Sequence, residues 1–115
     1  EILNLTKNNL INSAAHITGG GLIDNISRSV PDNLCLNINL SKIKTKNIFK
    51  WIKSNNISDK EMLKTFNCGV GFCLIVKKQN LKKIKKYFSK TFAPYEIGFI
   101  SKNVKKLNVY NKIKW

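Results

Sequence analysis

Three consecutive glycines, Gly19 to Gly21, stand between a short extended run, Ala14 to Thr18, and the segment Leu22 to Val30. An ordered glycine costs about 0.5–1 kcal/mol relative to alanine, so the run continues neither a strand nor a helix cheaply. It forces a strand–turn–helix corner. Three missing side chains also let the backbone come close to something, either another backbone in a tight turn or a bound oxyanion. A glycine run leading directly into a helix suits an anion, because consecutive N–H groups point at it and the helix dipole favours negative charge there. The spacing matches neither GxxxxGK[ST] nor GxGxxG, so no Walker-type or dinucleotide-type site is implied. Local physics leaves both readings open.

The patterns on either side predict an α+β domain, a mixed sheet flanked by helices. Thr6 to Ser13 reads as a short helix capped by Thr6, with Leu10 and Ile11 inward. Leu22, Ile23, Ile26 and Val30 have amphipathic-helix spacing, and Pro31-Asp32-Asn33 stops that helix. Leu34 to Leu40 alternates apolar residues with Cys35, Asn37 and Asn39, as a half-buried strand does. Asn47 to Ser54 reads as a helix with Ile48, Trp51 and Ile52 on its inner face. Ser58 and Glu61 form a capping box for a helix reaching about Phe66. Val70 to Lys77 is nearly continuous in apolar residues, the signature of a central strand buried on both faces. Asn80 to Phe88 reads as a helix with Leu81, Ile84 and Phe88 inward and a solvated lysine face. Tyr95 to Ser101 and Leu107 to Tyr110 are closing strands.

A length of 115 residues with 43% hydrophobic content fits one domain, residues 1–115, around a single core. The opening Glu1-Ile2-Leu3 reads as the interior of a longer protein, so an excised domain is expected. The longest apolar stretch, Phe72 to Val76, is too short for a membrane span, and no signal-peptide pattern is present. Cys35, Cys68 and Cys73 have no metal or redox spacing. They are expected to be small buried hydrophobes in a reducing cytoplasm, with no metal site.

A net charge of +15 raises a nucleic-acid reading. Against it, Arg28 is the sole arginine among 21 basic residues, and arginine is the preferred side chain for bidentate phosphate and base contacts. The lysines also come with abundant Asn and Ile, as in NINLSKIKTKNIFKWIKSNN, a combination that an A+T-rich coding sequence favours. The charge still attracts small phosphorylated ligands.

Asn67-Cys68-Gly69-Val70-Gly71 is the second unusual stretch. Asn67 and Gly69 suit the end of a helix and Gly71 suits close strand packing; equally, such a loop can lie against a ligand. His16, just before the glycines, is either a satisfied half-buried histidine or a partner for a phosphate or substrate amide. Six acidic residues form no dyad, and no nucleophile stands beside a base. No catalytic residue is assigned.

Taken together, AHITGGGLIDNISRSVP (Ala15 to Pro31) and EMLKTFNCGVGFCLIV (Glu61 to Val76) closely resemble the C-terminal half of the phosphoribosylformylglycinamidine cyclo-ligase family, the aminoimidazole ribonucleotide synthetases. IFKWI (Ile48 to Ile52) and YEIGFI (Tyr95 to Ile100) extend the match over nearly the whole chain. The family's enzymes are two-domain homodimers of de novo purine biosynthesis. The resemblance implies an ATP-dependent ligase that converts formylglycinamidine ribonucleotide to 5-aminoimidazole ribonucleotide. ATP activates the formyl oxygen as an iminophosphate and the amidine nitrogen closes the ring. ATP and magnesium are bound mainly by an N-terminal domain whose acidic motifs are not in this sequence. The fragment alone is therefore expected to hold no cofactor and to be inactive. Carried over by position, Thr18, Gly19, Gly20 and Gly21 are the expected substrate-phosphate contacts, with His16, Asn25 and Arg28 beside them. Asn67, Gly69 and Gly71 match the second motif, where Cys68 and Phe72 or Cys73 stand at positions at which methionine is common in the family.

The alternatives are a domain of a related ATP-using enzyme, such as formylglycinamidine ribonucleotide synthase, selenophosphate synthetase or thiamine-monophosphate kinase, and a basic nucleic-acid-binding module. The combined AHITGGG and TFNxGxG pattern favours the cyclo-ligase over its relatives. A steep fall of affinity with salt would favour the nucleic-acid module.

Overall fold

The structure is a computed structural model that describes all 115 residues. Its helices and strands follow in the predicted order: α1 (Ile2–Lys7), β1 (Ser13–His16), α2 (Gly21–Arg28), β2 (Cys35–Asn39), α3 (Asn47–Lys53), α4 (Asp59–Thr65), β3 (Phe72–Ile75), α5 (Leu81–Lys85), β4 (Gly98–Ser101) and β5 (Leu107–Tyr110). The fold is α+β. β1 and β3 pair antiparallel as a ribbon, with Ala15 opposite Cys73 and His16 opposite Phe72. A mixed three-stranded sheet has the order β4–β2–β5, in which β2 runs antiparallel to β4 and parallel to β5.

Leu22 and Ile26 of α2, Met62 of α4, Leu36 and Ile38 of β2, and Ala15 and Ile17 around β1 form the heart of the main core. Leu22 and Met62 are completely buried. A smaller cluster of Leu5, Leu10 and Ile84 joins α1 to α5 and takes Leu74 and Val76 against it. The lysines of α5 point away from that cluster into solvent, as its spacing predicts.

Several local expectations are corrected. The first helix is Ile2–Lys7, and Thr6 does not cap it; its hydroxyl donates to the Ile2 carbonyl one turn back, at 3.1 Å. Asn9, in the left-handed region at φ 52°, ends that turn before Leu10 tucks in. β2 is not half-buried but the central strand. Cys35, Leu36, Asn37 and Ile38 are all buried because strands flank it on both sides. Asn37 tolerates this because its amide donates to Ser101 Oγ at 2.9 Å and its carbonyl oxygen accepts from Asn108 at 3.0 Å.

Conversely, Phe72–Ile75 is not a central strand, and none of its residues is fully buried. It is apolar on both sides because Cys73 and Ile75 face the main core while Leu74 faces the small cluster. An unbroken apolar run thus reports two covered faces and says nothing about position in a sheet. The capping box at α4 is one-sided: Ser58 Oγ accepts from the Glu61 N–H at 3.2 Å, while the Glu61 carboxylate accepts from Thr65 instead. On α3 the inward pair is Phe49 and Ile52, half-buried against the core. Ile48 and Trp51 face outward, 54% and 66% exposed.

These burial differences are measurable. Met62→Ala is expected to lower unfolding free energy by about 2–5 kcal/mol, the range for emptying a packed core site. Ile48→Ala should stay within about 0.5 kcal/mol, as exposed substitutions do. Urea denaturation of both variants checks the assignment of the α3 faces, and an Ile48→Ala loss as large as that of Met62→Ala would refute it.

Candidate functional site

The three glycines have three different reasons to be glycine. Gly21 opens α2 at φ +71°, and a Cβ there would stand 2.1 Å from the Leu63 carbonyl oxygen. That position is closed to any side chain, because α2 starts against the backbone of α4. Gly20 is the N-cap, left-handed at φ +94°, a conformation costing other residues about 1–2 kcal/mol. Gly19 lies outside the left-handed region, and nothing stands within 4 Å of where its Cβ would be. The tight-turn reading therefore accounts for Gly20 and Gly21. It does not account for Gly19, which is exposed and open.

Two side chains predicted for the site converge on this loop from one turn or two along α2. The Asn25 amide donates to the carbonyls of Gly21 at 2.7 Å and Gly19 at 3.1 Å. Those carbonyl oxygens are thereby turned toward the helix. Arg28 reaches back over Gly20, its guanidinium 3.1 Å from the Cβ position there, and it pairs with Asp24 in the first turn. The pairing offsets a carboxylate that would otherwise compete for the positive end of the helix. Among the loop amides, Ile17 N–H donates to the Gly71 carbonyl at 3.0 Å and Gly21 N–H to the Thr18 carbonyl at 3.2 Å. The N–H groups of Thr18, Gly19, Gly20, Leu22 and Ile23 have no acceptor within the chain. A helix start with this many open donors attracts anions.

The β1–β3 ribbon brings the second motif to the same end of the molecule. The Ile17–Gly71 bond extends the ribbon, and the exposed His16 stacks on Phe72 with ring centroids 5.8 Å apart at 25°. Phe72 is a neighbour that the sequence reading missed; only the cross-strand register with His16 reveals it. Gly71 is open, with nothing within 4 Å of its Cβ position, so close strand packing is not its reason. Asn67 and Gly69 serve the loop itself: Asn67 Oδ1 accepts from the Gly69 N–H at 2.9 Å, and Gly69, at φ +98°, lies against the Lys44 carbonyl. They do not end α4, whose C-cap is the extended Phe66. Asn67, Gly69 and Gly71 line a shallow depression of about 290 Å³ with Lys46, Ile48 and Phe49. The loop residues 18–21 are not among its walls.

The acidic residues do not fit a magnesium–triphosphate. Asp24 pairs with Arg28, Asp32 with Lys106, Glu96 with Lys42 and Asp59 with Lys53. Lys106 and Lys42 hold Asp32 and Glu96 below the usual carboxylate range, chiefly by direct hydrogen bonds. No three His, Cys, Asp or Glu side chains come together, so no step of nucleotide activation is derived from this chain's residues.

The three cysteines are unpaired, Cys35 and Cys68 buried and Cys73 half-buried. Burial pushes the Cys68 thiol up to about 11, with Asp59 adding to it, and the Cys73 thiol up to about 12.

Two outcomes follow from this geometry. Gly21→Ala should unfold at lower urea by about 3 kcal/mol, from overpacking and backbone strain together. Gly19→Ala should be neutral or stabilising by up to about 1 kcal/mol. Equal effects of the two substitutions would contradict the division of roles in the loop. At pH 8, Cys73 should react with iodoacetamide about 1,000-fold more slowly than an unburied thiol, since only the thiolate reacts. Mass-spectrometric time courses would read this rate, and labelling within minutes would contradict the burial.

Comparison with known proteins gives the family of the chain. Residues 1–107 match the family model described as AIR synthase related protein, C-terminal domain. Phosphoribosylformylglycinamidine cyclo-ligase of Streptococcus pneumoniae serotype 4 is 42% identical over 102 residues, 88% of this chain and 29% of that protein. The bifunctional purine biosynthetic protein ADE5,7 of Saccharomyces cerevisiae is 40% identical over 85 residues, 73% of this chain and 11% of that protein. The chain thus spans less than a third of the length of these relatives. No helix is long and apolar enough to cross a membrane. With almost its whole length matched, the chain belongs to the family of AIR synthase related proteins, as their C-terminal domain.

Proposed function

We propose that this chain is the substrate-binding domain of a phosphoribosylformylglycinamidine cyclo-ligase and holds the 5-phosphate of formylglycinamidine ribonucleotide on the Thr18–Gly21 loop. The observation that carries this reading is the set of open N–H groups of Thr18, Gly19, Gly20, Leu22 and Ile23, gathered at the start of α2 with Gly19 bare of any side chain. Phosphate oxygens take several such donors at once, and the helix dipole adds to the attraction. Arg28 cancels the charge of Asp24 over Gly20, so that no net carboxylate repels the phosphate, and Asn25 holds the loop in shape by occupying its carbonyls. In this reading His16, stacked on Phe72 at the end of the ribbon, contacts the part of the ribonucleotide beyond its phosphate. Asn67 and Gly69 act one step further out, by fixing the loop that carries Gly71.

In this reading ATP and magnesium are held by a further, N-terminal domain, the complete enzyme is a cytoplasmic homodimer, and this chain alone does not turn over substrate. The names of the relatives, a cyclo-ligase and a bifunctional purine biosynthetic protein, support the assignment of pathway and reaction.

Gly19→Asp is the decisive variant, because Gly20 and Gly21 are required by the backbone whereas Gly19 has room for a side chain. A carboxylate there should weaken binding of formylglycinamidine ribonucleotide at least tenfold, about 1.4 kcal/mol, while the melting temperature stays within about 2 °C. Isothermal titration of the chain and of the variant, with inorganic sulfate as a second probe, measures it. Equal binding by both proteins would remove the loop from this role.

A further inference from the structure

α3 is the one α-helix in contact with the main core that contributes no fully buried residue. Phe49 and Ile52 are half-buried against that core, and Ile48 and Trp51, one turn apart and so on one face, are 54% and 66% exposed. A seven-residue helix is marginal by itself, and a tryptophan left in water forgoes one of the largest apolar areas that any side chain can bury. The depression at the start of this helix joins Ile48 to the loop carrying Asn67, Gly69 and Gly71. Phe72, next along the chain, is itself 42% exposed. Exposed apolar side chains of α3 and Phe72 therefore flank a depression whose walls mix Ile48 and Phe49 with Lys46 and Asn67.

We infer that the Ile48–Trp51 face of α3, with the depression beside it, is the seat of an apolar, acid-rimmed surface supplied by the remainder of a cyclo-ligase polypeptide. The inference rests on the reading above that the chain works with such a remainder. Two observations choose this occupant. The chain covers 88% of itself but only 29% of the pneumococcal cyclo-ligase, so most of such an enzyme lies outside this domain and must meet it somewhere. A net charge of +15 sets two copies of this chain against each other. The exposed Lys46 and Lys50 beside the face call for acidic residues opposite. Docking here would also stiffen α3 against the Asn67–Gly71 loop, through the depression that they share. The same contact would thus complete the substrate side of the site.

The test places this chain in the Streptococcus pneumoniae enzyme, in exchange for the matched region, and follows amide hydrogen exchange in the chimera and in the 115-residue chain alone. Amides of Asn47–Lys53 should exchange at least tenfold more slowly in the chimera, and those of residues 102–106 at the same rate in both. Trp51→Lys should return α3 of the chimera to the faster rate while leaving the melting temperature of the separate chain unchanged. Equal exchange of α3 in both proteins overturns the inference. So does concentration-dependent dimerisation of the separate chain that Trp51→Lys abolishes, since the face would then belong to a second copy. Should the chimera not fold, the intact pneumococcal enzyme decides. Its helix aligned with Asn47–Lys53 must exchange at least tenfold more slowly than its exposed helices, and exchange at their rate overturns the inference. A chimera that protects α3 without forming product upholds the docking face and counts against the cyclo-ligase reading. Turnover with α3 unprotected does the reverse.

Discussion

The contact on which the arrangement depends is backbone against backbone: Gly21 at the start of α2 lies on the Leu63 and Lys64 peptide at the end of α4. No side chain fits between them. That closeness lets Leu22 and Met62, the next residues inward, meet at zero exposure in the main core. It also fixes the direction in which α2 begins, and hence where its unpaired N–H groups open. A glycine that serves packing thus orients the two glycines before it.

The loop combines rigidity and openness through separate residues. Asn25 ties down the carbonyls of Gly19 and Gly21, so the peptide planes cannot turn freely. Asp24 and Arg28 neutralise each other above Gly20, leaving the helix dipole and the amides as the net attraction for an anion. Donors that need no reorganisation bind an oxyanion at lower entropic cost than flexible lysines do, although the chain has lysines in abundance. In the proposed reading the generic positive charge draws phosphorylated molecules near and the amides at α2 supply a defined geometry.

The β1–β3 ribbon brings two motifs about fifty residues apart to one end of the molecule. Its register sets His16 on Phe72, and the Ile17–Gly71 bond extends the pairing by one step. Beyond that bond each chain becomes glycine-rich and bare, one toward Gly19 and the other toward Asn67. The second of these ends lies beside the start of α3, in the depression that Ile48 and Phe49 share with Asn67, Gly69 and Gly71.

Much of this was legible in the residues themselves. The glycine corner, the order of helices and strands, and the amphipathic α2 follow from period and turn chemistry, which are local properties of the chain. The two quoted motifs also carried the family. What the residues alone could not decide was which apolar face found a partner. Ile48, Trp51 and Ile52 have the spacing of an inner face, yet the main core accepted Phe49 and Ile52, because α3 enters after Lys46 in a direction set by Gly69 against Lys44. Likewise Leu34–Leu40 alternates as a half-buried strand should, but strands on both sides made it central, and Asn37 found its partners on β4 and β5. The separate reasons for Gly19, Gly20 and Gly21 are invisible in the letters GGG. Only tertiary packing, which puts a backbone beside one glycine and open space beside another, could tell them apart.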